Sequence, residues 1–488
     1  MRLRDLALKL ENQTGTTLTE RIARALEGAI RDGRLKPGVA IPGSRALAED
    51  LGVTRNTVIA ALAMLEDEGW LVTERSRGTF VADPLPLEAL PTSTAHPPSK
   101  EGDPLGFDLP SRLSPLSATT PQSLTLSDGI PDSRLAPTDA MAKAYQRALR
   151  RHGEELLQYG EPSGNQLLRE SVAAWATERY GVSISAKQVL ITRGSRVALT
   201  LMSLALLREG DRVGVESPGN RAAWDTMRQC AEIHLHGIPV DEEGIRLDAL
   251  STALESTRLR ALYLTPRRQF PTARTMGVGR GKALLKLAAE HRIAVLEDDY
   301  DGEYHYGEQR PLPLLALDQT GQVIHLGSLS RLLAPGLRLG FLIAQEGLIE
   351  RLSRVRRSVE WQGDRVLEWA VADLIRDGEL ARHLRRVKKI YEVRRDFMCG
   401  LLNQELGEYL SFEVPTGGLG LWARVAKIAD AEKWIASAKE CGLVLNPPQH
   451  FFLGEAEPFV RVGFSQVDEA QITEAVRRLK QALVQSKP

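Results

Sequence analysis

SLSRLLAPGLRLGF, residues 328–341, follows a short apolar run, VIHL at 323–326, and carries two arginines seven positions apart, Arg331 and Arg338. A strand that runs out into hydroxyls, a Pro-Gly turn and a Gly-Leu-Arg-Leu-Gly frame reads as an attachment loop for a phosphate-bearing cofactor. The cations of this stretch are guanidiniums rather than amines, so it bears on both the fold around it and the chemistry it supports.

Further short strands surround the loop in sequence: VLIT at 189–192, then RVGVE, ALYLT, IAVLEDD and VIHLG, separated by helical stretches. VLIT leads into RGSR and a long apolar helix. This alternation predicts an α/β domain with a mainly parallel sheet covered on both faces, its ligand chemistry at the carboxyl ends of the strands. From about Ile349 onward, long charged amphipathic helices suggest a separate, smaller C-terminal subdomain. This body spans residues 124–488. Residues 83–123 hold Pro84, Pro86, Pro91, Pro97, Pro98, Pro104, Pro110, Pro115 and Pro121 among Ser, Thr and charges, the composition of an extended, semi-stiff linker.

Ahead of the linker, residues 13–82 read as a small α+β domain. Leu18, Ile22, Ala25, Leu26, Ala29 and Ile30 recur at helical spacing, and Gly33 stops the helix. Ser44 is placed to cap a short helix over 45–50, LGV makes a turn, and Thr54 is placed to cap a helix with Val58, Leu62 and Leu65 on one face. GWLVTERSRGTFVAD alternates like a hairpin, with Trp70, Val72, Phe80 and Val81 as its apolar positions. The order is helix, turn, helix and β wing.

Bulk composition narrows the classes. A chain of 488 residues with 43% hydrophobic content can bury a sizeable core. Lys+Arg and Asp+Glu both number 63, so net charge argues for no charged partner. Residues 1–81 hold 12 basic and 11 acidic side chains, so nucleic-acid binding must be argued from local pattern. Cys230, Cys399 and Cys441 are far apart, without metal or redox spacing. The start lacks a signal-peptide core and no uncharged apolar run approaches a membrane span, so the expectation is a cytoplasmic protein with no membrane partner and no metal.

PGSR (42–45), TRNTV (54–58), SRGTFV (76–81) and the preceding GRLKPG resemble the winged helix-turn-helix of GntR-class bacterial regulators. The resemblance implies double-stranded operator DNA as partner. Thr54, Arg55, Asn56 and Thr57 crowd the start of the second helix, where backbone N–H groups and an arginine can meet phosphates or base edges. Gly78 lets the wing turn tightly. Ser44 belongs to the same surface; Arg45 and Arg77, with Arg75 behind them, are the phosphate-contact candidates.

DGIPDSRLAP (128–137), QYGEPSGNQLLRE (158–170), TPRRQFPTARTM (265–276), LEDDYDGEYHY (296–306), GSLSRLLAPGLRLGF (327–341) and VRVGF (460–464) resemble the fold-type I aminotransferase module of the MocR/GabR subfamily. In that subfamily a GntR-type head is joined to a pyridoxal-phosphate-binding body. The resemblance implies that Asp298 faces the pyridinium nitrogen, with Asp299 next in register. Tyr300 meets the phenolic oxygen. Arg338, Ser328 and the Gly194-Ser195 helix start hold phosphate, and Arg461 grips an amino-acid carboxylate. It also implies a homodimer, head-to-tail, reading two half-sites.

The departures fall in the same pocket. The Schiff-base lysine of the family falls at Arg331. A guanidinium is neutral at pH 7 in roughly one molecule per million and its lone pairs are delocalised, so covalent attachment is excluded there. Asn220 replaces the ring-stacking aromatic, Arg268 the histidine of TPSHQFP, Ala273 the glycine of PTG, and Arg196 a neutral polar residue. The expectation is a DNA-binding regulator whose body is no longer an enzyme and serves as a small-anion sensor, a dimerisation module, or both. The alternatives are a body that binds pyridoxal phosphate without a covalent bond, and an active aminotransferase that also binds DNA.

Overall fold

The computed structural model describes residues 16–74, 76–86, 123–126, 129–308, 310–426 and 430–485, in two compact units divided after Ser111. Arg75 and most of the 83–123 linker lie outside the described residues.

In the first unit, helix Leu18–Arg31 begins at a capping box: Thr17 Oγ1 accepts from the Glu20 N–H, and the Glu20 carboxylate accepts from the Thr17 N–H. Ile22, Leu26, Ala29 and Ile30 are buried in the small core. Helices Ser44–Leu51 and Arg55–Asp67 meet at a turn where Gly52 takes a φ of 66°, a left-handed conformation that costs glycine little. Thr54 caps the second helix as its position predicts, its Oγ1 accepting from the Thr57 N–H at 3.3 Å. The expected Ser44 cap is corrected. Gly43 occupies the N-cap, Ser44 is the first residue inside the helix, and its hydroxyl accepts from Arg55 Nε at 3.2 Å.

The wing pairs Leu71–Glu74 with Gly78–Val81, and Ala40–Ile41 adds a third antiparallel strand that the sequence pattern does not signal. The inward face is set by Leu71 rather than Val72, which is 49% exposed. Trp70 is buried just before the strand begins, so the alternation counts from Leu71.

The second unit is built on an eight-stranded sheet in the order Val189–Thr192, Gly340–Ile343, Val323–Gly327, Ala294–Asp299, Ala261–Leu264, Arg212–Ser217, His234–Asp241, Gly244–Ile245. The five strands from Val323–Gly327 to His234–Asp241 run parallel, and Gly340–Ile343 is antiparallel to both its neighbours. The inner strands are buried along nearly their whole length, as expected for a sheet with helices on both faces. One core gathers Met202, Trp224, Met227 and Leu352; another gathers Leu250, Leu284 and Leu314.

The C-terminal part contains helices Glu346–Val359, Arg365–Arg376 and Glu379–Leu406 and a three-stranded antiparallel sheet of Leu410–Phe412, Gly420–Val425 and Phe459–Gly463. It does not have a core of its own. A single cluster runs from Ile191 and Phe341 of the large sheet to Trp434, Phe464 and Leu479. Leu124–Thr125, the first strand of this unit, pairs with Leu443–Val444, so the body begins on its own C-terminal part. Asp298 lies opposite Leu326 and Asp299 opposite Gly327 in parallel register, so the acidic strand end and the 328–339 loop emerge on one edge.

Candidate functional site

At those carboxyl ends lies a cavity of about 360 Å³. Eight of the eleven expected pocket residues line it: Ser195, Arg196, Asn220, Asp298, Tyr300, Ser328, Arg331 and Arg338. Gly194 supports it from behind. It N-caps helix Ser195–Leu206 with a φ of 82°, and a Cβ there would stand 2.9 Å from Arg338 Nη2. The missing side chain lets the guanidinium lie against a helix N-terminus, whose amides favour an anion. Arg196 and Arg338 have no side-chain hydrogen bond or ion pair among the described residues, so two guanidiniums reach the cavity without a protein counter-charge. The Ser328 hydroxyl accepts from the Arg331 N–H at 3.3 Å, capping its own short helix, Leu329–Leu332.

At the other end, Asp298 is buried. Its Oδ2 accepts from the Tyr263 hydroxyl at 2.6 Å, and its Oδ1 has no hydrogen-bond partner. Burial pushes its pKa up to about 6, against the opposing pull of the Tyr263 bond. Asn220 Nδ2 donates to the same Tyr263 hydroxyl at 3.2 Å, and its Oδ1 accepts from Ala223 N–H to cap helix Arg221–Cys230. The residue standing in the family's stacking position is thus used by the helix and by Tyr263. Beneath it, Glu216 accepts from the N–H and hydroxyl of Thr265 at 3.0 and 2.7 Å, and burial raises its pKa to about 7.

Arg331 is partly occupied. Its Nη1 donates to the Gly129 carbonyl at 2.6 Å and stands 3.8 Å from Oδ1 of the buried Asp301, and its guanidinium lies 5.6 Å over the Tyr300 ring. Among the described residues, no lysine lines the cavity.

Two expected cations lie elsewhere, which corrects the pocket's charge. Arg268, 2% exposed, donates to the Arg267 carbonyl, Thr275 Oγ1 and the Thr416 carbonyl and bonds to His305 Nδ1. Burial, then the Arg267 charge, lower its pKa to about 10. Gly417 makes room for it, since a Cβ there would meet Arg268 Nη2 at 2.0 Å. Arg461 donates to the Pro271 carbonyl at 2.6 Å and packs 4.7 Å from the Phe270 ring centroid. Among the described residues three arginines line the cavity, where the sequence pattern suggested as many as five.

Tyr263, Glu216 and Gly129 escaped the sequence reading. The first two carry a signal, a polar group near the carboxyl end of a mostly apolar strand. Gly129 carries none, because its contact arises only when the 129–135 segment folds back onto the loop.

In the first unit, Arg45, Thr54, Arg55 and Asn56 are exposed, Thr57 and Ser44 partly so, and the Arg55–Ser44 bond ties the starts of the two short helices together. Arg45 and Asn56 have no side-chain partner among the described residues. In the wing, Arg77 pairs with Glu74 at 2.6 Å and covers Phe80, while Gly78 has a φ of 119°. The surface offers an uncommitted cation at Arg45 and an amide at Asn56.

Residues 18–81 match the bacterial regulatory proteins of the gntR family, and residues 122–479 match aminotransferase class I and II. The chain belongs to the class I and II aminotransferase family and carries a GntR-type helix-turn-helix head. More narrowly, it is a regulator of the MocR/GabR type. The probable rhizopine catabolism regulatory protein MocR of Rhizobium meliloti is 28% identical over 481 residues, 98% of this chain and 96% of that protein. The 2-aminoadipate transaminase of Thermus thermophilus is 33% identical over 367 residues, 74% of this chain and 90% of that enzyme. Among solved structures, the Pyrococcus horikoshii kynurenine aminotransferase superposes with a TM-score of 0.71 at 30% identity, covering 76% of this chain and 92% of its own.

Proposed function

We propose that the aminotransferase-like body of this regulator is catalytically degenerate and serves as a sensor for a small phosphate- or carboxylate-bearing anion, whose occupancy sets the DNA affinity of the head. The observation that carries this is the lining of the cavity: Arg331 where the family has its lysine and, among the described residues, no lysine and two guanidiniums without protein counter-charge.

The residues present fit pyridoxal phosphate at both of its ends. Asp298, with Oδ1 unpaired, suits a ring N–H; Tyr300 suits the phenolic oxygen; Arg338 and the amides opening helix Ser195–Leu206 suit the phosphate. When bound, that group supplies an electron-withdrawing ring. This chain can hold it only without a covalent bond. An amino-acid substrate finds less: Arg461, the family's carboxylate grip, is bonded to Pro271 and does not line the cavity.

DNA recognition rests on the exposed start of helix Arg55–Asp67, with Asn56 reading base edges and Arg45 and Arg77 meeting phosphates. The protein acts as a homodimer, head-to-tail, on two half-sites. Titration calorimetry with pyridoxal phosphate, inorganic phosphate and short carboxylates, run beside operator binding with and without each, tests the sensor reading. Binding heat with a shift in operator affinity supports it. Silence in both sinks it, and turnover of amino acids with pyridoxal phosphate sinks the claim of degeneracy.

A further inference from the structure

Arg331 is both a wall of the cavity and the bond that holds residues 129–135 to the cofactor-type loop. Its Nη1 donates to the Gly129 carbonyl at 2.6 Å, and the next residue, Ile130, lines the same cavity. A guanidinium has five N–H donors in a rigid fork, and this one spends one of them on the Gly129 carbonyl. The nearby Asp301 carboxylate stands at 3.8 Å, beyond hydrogen-bonding range. The remaining edge is free to take an oxyanion while Nη1 keeps its carbonyl.

The held segment is otherwise anchored on the C-terminal part. Ser465 Oγ donates to the Ile130 carbonyl at 2.7 Å, the Asp132 N–H donates to Tyr391 Oη at 3.0 Å, and Arg394 pairs with Asp132 at 2.9 Å. Gly129 has a φ of 58°, and a Cβ on it would meet the Leu419 carbonyl oxygen at 2.5 Å, so its position is set closely by neighbours on one side. On the cavity side, the described hydrogen bond is the one from Arg331. In sequence, this segment comes just after Leu124–Thr125, the strand that follows the linker.

We infer that Arg331 is a ligand-operated clasp: an anion in the cavity fixes its guanidinium and thereby secures residues 129–135, the stretch that leads back to the linker and the DNA-binding head. This rests on the sensor reading above and assigns that site its means of transmission. It also gives the lysine-to-arginine change a gain as well as a loss. An ammonium is a compact point charge, whereas a planar fork can bond a carbonyl with one edge and an anion with another.

The test is hydrogen–deuterium exchange on the full chain with pyridoxal phosphate or inorganic phosphate as probe, with calorimetry on the same samples. In the wild type, peptides covering 129–135 should exchange about threefold or more slowly with probe bound. In Arg331→Met the probe should still bind through Arg338, with that slowing lost; Arg331→Gln gives a second variant if the first does not fold. Binding without added protection in the wild type overturns the clasp and leaves the sensor reading standing. Absence of binding to either probe overturns both. Equal protection in wild type and a folded Arg331 variant assigns the effect to the ligand alone and also overturns the clasp.

Discussion

Tyr263 and Asp298 share a 2.6 Å hydrogen bond that satisfies Oδ2 of the carboxylate and leaves Oδ1 buried without a partner. The pair sits on adjacent parallel strands, and Asp298 lines the cavity. A carboxyl in this position is costly to ionise, and its pKa of about 6 against an ordinary 3.8 expresses that cost.

The sign follows by linkage. Below about pH 3 the group is protonated in folded and unfolded chains alike. As pH rises to 6 the unfolded chain releases the proton more readily, so this group subtracts up to about 3 kcal/mol from stability, and the loss levels off above its folded pKa. Asp298→Asn should therefore unfold at higher urea than the wild type at pH 7.5, with the gap closing toward about pH 3. It should also bind pyridoxal phosphate about tenfold or more weakly, since the amide oxygen is a poorer acceptor for a ring cation. A constant gap across pH would show that Asp298 is not the titrating group.

Reduction with borohydride in the presence of pyridoxal phosphate should leave no covalent adduct on any residue lining the cavity, while Arg331→Lys should gain one at that position. Peptide mass spectrometry reads this directly. An adduct at a cavity-lining residue in the wild type would restore the enzymatic reading.

Anion affinity should separate the arginines. Arg338→Ala removes an unpaired guanidinium from the cavity and should weaken phosphate binding by about 2 kcal/mol, near thirtyfold. Arg268→Met alters a side chain outside the lining and should change affinity less than about twofold, whatever it does to folding. Calorimetry on the two variants decides between this geometry and one in which all the arginines converge.

In the head, Arg45→Ala should weaken binding to every DNA sequence and lower the salt slope by about 1, the signature of one phosphate contact. Asn56→Ala should cost about 1–3 kcal/mol on the preferred operator and little on unrelated DNA. Thr54→Ala, which removes the cap on Thr57 N–H, should lower the stability of the head by about 1 kcal/mol. Binding isotherms at several salt concentrations and thermal melts distinguish the three.

The strand-and-helix order of the body is legible because the inner strands are short and mostly apolar, and the cap at Thr54 because side chain and turn stand three residues apart. Less was legible where contacts close over long separations. RRQ at 267–269 looks alike along the chain, yet Arg267 turns to Asp299 and the Gly302 carbonyl while Arg268 turns to His305 and Thr416. Neither direction is encoded by spacing. Gly340–Ile343 passed as loop because its strand partners lie on either side in space, one of them about 150 residues upstream. Ser44 was misplaced by one residue, the usual scale of error where glycine and serine compete for a cap.

That antiparallel strand has a consequence for how such a pocket changes role. Residues 327 and 341 face each other across the sheet, so the loop between them is a closed ribbon whose two ends are tied before any ligand arrives. Its arginines are carried on a frame whose shape the neighbouring strands dictate. A side chain on this loop can therefore be exchanged while the receptacle keeps its shape.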